Sequence, residues 1–317
     1  MRVFVAGATG ALGRRLVPML VESGHSVVAM SRTARKRAAI EATGATPVVA
    51  DALDRDSVSE AVRDAKPEAI VHQLTALTGL TGNPRRFDRE FAPTNKLRTE
   101  GTDHLLRAAG ESGARRFVVQ SFAGWPFARE GGSVKTEDDP LDPDPPAPLR
   151  EALAAIRHLE GAATSAEGVD GFALRYGGFY GPGTSISHGE GDGFQDTIRK
   201  RRFPVLGAGS GVWSFVHIDD AASATRAAVE GRGEPGIYNV VDDDPAPVSE
   251  WLPALAEALG ARPPRRLPLW VGRVVGGELA VSLMTQVRGA SNAKAKRELG
   301  WAPSYPSWRE GFRTGLG

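Results

Sequence analysis

Short apolar runs alternate along the first half of the chain with stretches in which apolar residues recur every three or four positions, the spacings of a buried strand and of a one-faced helix. The runs predict strands near 2–6, 26–30, 46–50, 68–74, 115–121 and 170–176. The periodic stretches predict helices near 11–23, 33–43, 56–65, 85–111 and 148–167. In the first helix Leu12, Leu16, Val17 and Leu20 share one face, Pro18 is a candidate kink, and Gly24 closes the helix before the run 26–30. This alternation predicts an α/β fold with a doubly wound parallel sheet. Beyond 176 the character changes to a glycine-rich stretch at 177–193, a helix near 219–230, a strand at 237–240 and a proline-punctuated helical region from 247 onward. These later elements predict a smaller C-terminal lobe interleaved with the last parts of the sheet.

The first strand runs directly into Gly7-Ala8-Thr9-Gly10-Ala11-Leu12-Gly13 and then into a helix, the order in which a dinucleotide phosphate is cradled. Glycine permits the tight turn, lets a pyrophosphate reach the backbone and lets the helix pack close to the strand, while the first helical amides face the phosphate. Gly7, Thr9, Gly10, Ala11, Leu12 and Gly13 are therefore candidate cofactor contacts in a Rossmann-type sheet, with a plain glycine-rich turn as the bland alternative. Ligands of open parallel sheets sit at the carboxyl ends of the strands, which places the cleft beside 72–75 and 121–125, with Leu74 and Thr75 against the cofactor. On this reading residues 1–176, with further elements from about 215–240, bind the cofactor, and 177–317 mainly form the substrate lobe.

The second strand ends Met30-Ser31-Arg32, with Arg35, Lys36 and Arg37 following, where an NAD site would carry a carboxylate for the ribose hydroxyl. A hydroxyl beside guanidinium groups suits a 2′-phosphate, so Ser31 and Arg32 favour NADP over NAD. At least two of the three cations that follow Arg32 are expected on the solvated face of the next helix. Asp51 and Ala52, after the third strand, are placed for the adenine edge, although a turn or capping aspartate has the same pattern.

Composition narrows the function further. At 317 residues, 41% hydrophobic and 24% charged, the chain has room for a full core. A net charge of +1 gives no global field toward nucleic acid or an anionic membrane, so only local charge can argue for either. The absence of cysteine excludes disulfides and thiolate chemistry and fits a cytoplasmic protein. Histidines 25, 72, 104, 158, 188 and 217 form no paired ligand spacing, so no metal is expected. The apolar run after Met1-Arg2 ends too soon for a secretory signal, and no run approaches the roughly 18 residues of a membrane span.

With these residues in view, the chain resembles the short-chain dehydrogenase/reductase superfamily, in the extended or atypical branch related to NAD-dependent epimerase/dehydratases. The likeness spans nearly the whole chain. Besides the glycine loop it rests on Gly101-Thr102-Asp103-His104-Leu105-Leu106, on 136–141, on Leu174-Arg175-Tyr176-Gly177-Gly178-Phe179-Tyr180-Gly181-Pro182-Gly183, on Phe215-Val216-His217-Ile218-Asp219-Asp220-Ala221 and on Glu298-Leu299-Gly300-Trp301-Ala302-Pro303. The resemblance implies an Asn, Ser, Tyr and Lys tetrad, in which Tyr relays a proton to the substrate oxygen, Lys lowers the Tyr pKa and Ser orients the oxygen. Tyr-x-x-x-Lys occurs nowhere: residues four beyond tyrosines 176, 180, 238 and 305 are Tyr180, Thr184, Asp242 and Arg309. In the register that Glu160 sets, Ala152 stands at the Tyr position and Ile156 at the Lys position. Arg98 stands where the Asn is expected, with Asn95 one turn away, and Phe122 stands at the catalytic position beside Ser121.

The remaining candidates are Ser121 and Tyr180 for catalysis, each with a structural alternative, and Phe122, Trp125, Phe179 and His188 for substrate. The three aromatics would form an apolar wall for a flat substrate, and His188, with Glu190 and Asp192, lies in a lid-like glycine-rich segment. Lys135, with the acidic run Glu137, Asp138, Asp139, Asp142 and Asp144 after it, reads as part of a solvated acidic loop, with a cation for a substrate or cofactor phosphate as the alternative. His217 with Asp219 and Asp220 reads as architecture, an aspartate capping the next helix. Three functions remain open: an NADP(H)-dependent oxidoreductase acting on a small molecule, an NADP-binding regulatory protein without turnover, and an isomerase or lyase that retains the nucleotide. No nucleic-acid or membrane partner is expected, and a homodimer is possible.

Overall fold

Val3 and Val5 face one side of the first strand and Phe4 and Ala6 the other, and both sides are sealed from solvent. Continuous burial of this kind identifies a central strand of a parallel sheet covered on both faces. The computed structural model describes residues 1–77, 86–188 and 193–317. The sheet comprises β1 (Arg2–Ala6), β2 (Ser26–Ser31), β3 (Thr46–Val49), β4 (Ala69–His72), β5 (Arg116–Phe122), β6 (Asp170–Tyr176) and β7 (Gly236–Val240). Their order is β7-β6-β5-β4-β1-β2-β3, all pairs parallel. The winding reverses between β1 and β4, and the crevice that opens there lies directly above the glycine loop.

One face of the sheet is covered by α1 (Gly13–Glu22), which continues through Pro18, with the alanine-rich α8 (Ile218–Val229) beside it. Leu16, Val17 and Leu20 meet Ala221, Ala224 and Ala228 in one buried cluster. The short α2 (Arg37–Glu41) sits at the edge of β3. On the other face, α3 (Arg55–Ala65), α5 (Thr102–Ser112) and α6 (Arg150–Thr164) contribute Val58, Val62, Leu105 and Leu159 to a second cluster.

The single helix expected over 85–111 is two helices, α4 (Phe87–Lys96) and α5, joined by a wide π-type turn at Leu97–Gly101. Such turns insert one residue into a helix and re-aim the side chains around it. Arg98 lies within this turn and is buried.

The C-terminal part forms a separate core in which Tyr180, Phe215, Trp251, Trp308 and Phe312 pack together. It includes α9 (Val248–Ala258), α12 (Trp308–Thr314) and the parallel pair 178–180 with 215–217. The remaining helices are α7 (Gly193–Arg199), α10 (Leu269–Thr285) and α11 (Ala293–Glu298). The last of these packs back on β7, so the lobe and the sheet interleave. His217, rather than an aspartate, caps α8 by accepting from the Asp219 amide at 3.3 Å, while Asp219 pairs with Arg15 at 3.0 Å and Asp220 accepts from the Ser304 and Tyr305 amides.

At the end of β4, His72 joins the crevice to the π-type turn. Its Nε2–H donates to the Leu97 carbonyl at 3.1 Å and its Nδ1 accepts from the Leu74 amide at 3.2 Å, which requires the neutral ring. Burial pushes its pKa down to about 4. The unfolded chain therefore binds the extra proton first, and stability falls as the pH drops from about 6.5 toward 4, by up to about 3 kcal/mol. Denaturation midpoints across that window should decline in the wild type and decline less steeply in His72→Gln.

Candidate active site

The glycine loop shows which of its glycines serve the fold and which serves something outside it. A Cβ on Gly7, where φ is +97°, would lie 2.7 Å from the Gln73 carbonyl oxygen, and one on Gly13 would lie 2.2 Å from that of Gly7. Those two allow β1, β4 and α1 to approach. A Cβ on Gly10 would meet only the Gly7 oxygen, at an acceptable 3.4 Å, and Gly10 is exposed. Internal packing leaves room for a side chain there, so the bare backbone at Gly10 suits a group that comes from outside, as a pyrophosphate does. Ala11, Leu12 and Gly13 carry the chain into α1, where the first amides of a helix have no intrahelical partner.

Thr9 is the hub of a basic rim. Arg14 Nε donates to its carbonyl at 3.0 Å and Lys36 Nζ donates to its hydroxyl at 2.9 Å. Lys36, one of three cations of which at least two are expected on a solvated face, is exposed and reaches back over the loop, and exposed Arg32 follows β2. The Ser31 hydroxyl is occupied locally, donating to the Thr33 carbonyl and accepting from the Thr33 amide. Arg14 went unmarked in the sequence although a signal was present: α1 opens with two arginines and no acidic residue, against the preference of a helix N-terminus for negative charge. Asp51 is exposed and holds the Leu53 amide at 3.0 Å. Ala52 is buried and its carbonyl accepts from His104, while Leu74 and Thr75 lie half-buried just after β4.

The reaction end is built differently from what its polar residues suggested. Ser121 is buried and donates to Glu160 Oε1 at 2.5 Å. Glu160 is gripped by Arg175 through Nε and Nη2, both at 2.7 Å. Through this bond Ser121 ties β5 to α6, the structural alternative to its expected role as a catalytic hydroxyl. Tyr180 also lies inside the protein. It has no solvent exposure, its ring packs edge-on against His217 and Phe312, and burial holds its phenol above the ordinary range. Helix α6 contains neither tyrosine nor lysine, and both Ala152 and Ile156 are buried.

Arg98 is 4% exposed with Nε and Nη1 unpartnered, and burial pushes its pKa down to about 10 while the Glu160 charge opposes that fall. It remains a cation at neutral pH. Gln73 lies close to the Tyr176 hydroxyl without completing a hydrogen bond.

Phe122 and Trp125 line an apolar pocket with Trp213, Leu283 and Val287. Their rings are 6.1 Å apart, and Phe87 approaches Trp125 edge-on at 6.3 Å while stacking on Phe91. The other two expected substrate contacts do not line this pocket. Phe179 packs against Tyr176 on the sheet, 5.4 Å between rings. His188 is exposed, its amide held by the Leu316 carbonyl; Glu190 and Asp192, proposed beside it, lie outside the described residues. Lys135 is buried and paired with Asp139 at 3.0 Å, so it is no free cation for a phosphate.

Comparison with known proteins follows the same outline. The model of the NAD dependent epimerase/dehydratase family matches residues 3–240. A Streptomyces protein named 3-diazoavenalumate denitrifying reductase is 45% identical over 98% of this chain and 99% of its own. A Stigmatella aurantiaca ketoreductase of a farnesylated dihydroquinoline oxide is 28% identical over 95% of this chain and 92% of its own. Among solved structures, the UDP-glucose 4-epimerase of Thermus thermophilus in complex with NAD superposes with a TM-score of 0.74 at 24% identity, covering 100% of this chain and 98% of that one. This last likeness concerns the fold.

Two substitutions separate the roles assigned here. Gly10→Val should weaken nucleotide binding by about a hundredfold or more, roughly 2.7 kcal/mol, with the thermal midpoint of the unliganded chain little changed. Ser121→Ala should cost about 1.5–3 kcal/mol in chemical denaturation, as for a hydrogen bond to a charged group, yet leave the catalytic rate within a few-fold of wild type.

Proposed function

This chain belongs to the NAD dependent epimerase/dehydratase family, and from that premise we propose that it is an NADP(H)-dependent reductase of a planar, electron-poor aromatic substrate that accepts hydride without a tyrosine and lysine proton relay. The observation that carries this reading is α6, which has Ala152 and Ile156 where the relay belongs and no tyrosine or lysine anywhere along it. A carbonyl gains negative charge on oxygen as it is reduced and needs an acid there. This chain offers the hydrocarbon of Phe122, Ala152 and Ile156 instead.

An aryl diazonium group has no such need. Its carbon gains a bond to hydrogen, the carbon–nitrogen bond electrons depart with neutral dinitrogen, and the arene is released without any protonation. The 45% identical Streptomyces relative, by name a denitrifying reductase of a diazo compound, supports this substrate class. So does the character of the lining: Phe122, Trp125 and Trp213 are aromatic, and aromatic rings attract a cationic substituent. Leu283 and Val287 complete an apolar wall that keeps water away from a hydrolysable group.

At the other end of the crevice Gly7, Thr9, Gly10 and the start of α1 would hold the pyrophosphate of the dinucleotide. Arg32, Lys36 and Arg14 would supply the positive charge for a 2′-phosphate, with Asp51 and Ala52 toward the adenine and Leu74 and Thr75 toward the nicotinamide. When bound, the reduced nicotinamide supplies the hydride. Buried Arg98 holds a fixed positive charge beneath the site and exchanges no proton at neutral pH.

The test is NADPH consumption with an aryl diazonium carboxylate and with the matching aryl ketone, the products identified by mass spectrometry. Consumption with the diazonium alone, yielding the arene, is the expected result. Reduction of the ketone in preference overturns the substrate class, and tight NADPH binding with turnover of neither overturns the enzymatic reading in favour of a binding protein. Arg32→Ala and Lys36→Ala should each weaken NADPH by about tenfold while sparing NADH, the scale of one lost charged contact. A wild-type preference for NADH refutes the phosphate assignment.

A further inference from the structure

The near-neutral net charge of +1 conceals a strongly uneven distribution. Arg202, which follows α7, and Arg262, Arg265 and Arg266, which precede α10, are all exposed, as is Arg273 within α10. None of the five is ion-paired with a described residue. They share one surface: Arg201 Nε donates to the Pro263 carbonyl at 2.9 Å, and the strand Arg266–Leu267 runs parallel to Val205–Leu206.

From the middle of this basic surface rises the first half of α10. Its inner side is Gly272, where a Cβ would fall 2.3 Å from Leu206. Its outer side is apolar. Trp270 is 70% exposed, Val275 69% and Leu269 44%. Arg273 and Glu278 are the only charged residues of the whole helix, whose helical run breaks at Gly277, where φ is +70°. No helix among the described residues is long and apolar enough to cross a membrane.

We propose that this face docks on an anionic lipid bilayer, with Trp270, Leu269 and Val275 entering the headgroup boundary and the surrounding arginines engaging lipid phosphates. A short apolar helix crowned by tryptophan and ringed with arginine has the chemistry of an interfacial anchor. Arginine stems can lie along the apolar layer while the guanidinium groups stay at phosphate depth. A second copy of this chain fits less well, because a two-fold contact through the face would set the same unpaired arginines against each other. Since α10 runs from this face to Leu283 in the wall of the aromatic pocket, docking would bring the pocket close to lipid-partitioned solutes.

The experiment is cosedimentation of the full chain with phosphatidylcholine vesicles, with and without phosphatidylglycerol. Binding is expected only to the mixed vesicles and should be lost on raising the salt, since surface charge attraction is screened. Arg265→Glu with Arg266→Glu should reduce vesicle affinity by about tenfold or more, the scale of two basic side chains lost at an anionic surface, and Trp270→Glu, which puts a charge in the headgroup boundary, should reduce it by about as much. NADPH affinity and thermal midpoint should be unchanged, because the substituted side chains are exposed. Wild-type protein that stays in solution with both vesicle types overturns the proposal. So does binding that is insensitive to salt and to both variants, or a dimer seen by light scattering that Trp270→Glu dissolves without any vesicle binding.

Discussion

Glu160 is the anion on which the upper part of this molecule is organised. Its carboxylate lies inside the protein with Arg175 on one side and the Ser121 hydroxyl on the other, so that α6, β5 and β6 meet at one group. Ser121 and Arg175 are directly opposed in the strand register, and the carboxylate bridges both from the helix above. A buried charge stripped of its partners costs several kcal/mol, whereas a bidentate guanidinium with a further hydrogen bond compensates it. The arrangement therefore holds α6 in one register against the ends of the strands. About two turns and one turn earlier on that helix, the register puts Ala152 and Ile156 where a proton relay would have to stand.

The two ends of the crevice have consequently diverged in chemistry. At the nucleotide end the close approach of Gly7, Gly13 and Gln73 leaves no freedom for side chains, Gly10 presents bare backbone to the outside, and Arg14 and Lys36 bring positive charge onto Thr9. At the reaction end the hydroxyl is tied down, the phenol of Tyr180 belongs to another core, and aromatic rings take their place. Binding a dinucleotide needs only the first set of features. Protonating an oxyanion needs the set that is missing, which is why the proposed chemistry is one that consumes hydride alone.

The sheet and its helices were legible almost residue by residue, because a strand buried on both faces and a helix buried on one leave different periods in the chain. The helix expected over 85–111 showed the limit of that logic. Its apolar spacing carries no trace of the π-type turn at Leu97–Gly101, since the inserted residue is accommodated by His72 from another strand. The same limit applies to the site. Nothing near Ser121 in the chain announces that its partner is Glu160, 39 residues away. Lys36 looked like one of several solvated cations until the loop brought Thr9 beneath it, and Lys135 looked free until Asp139 closed on it.

By itself, then, the sequence determined the α/β architecture, the glycine cradle, the lack of cysteine chemistry and the absence of Tyr-x-x-x-Lys, all of which are properties of residue type and local spacing. Tertiary structure alone decided which polar groups are available. Ser121 and Lys135 are buried and paired, Tyr180 is buried, and Lys36 reaches the Thr9 hydroxyl. It also exposed a tryptophan amid unpaired arginines on a chain whose net charge is almost zero. The physical reason is the same in each case. A side chain's chemistry depends on its solvation and its nearest charges, and those are set by segments distant in sequence that only folding brings into contact.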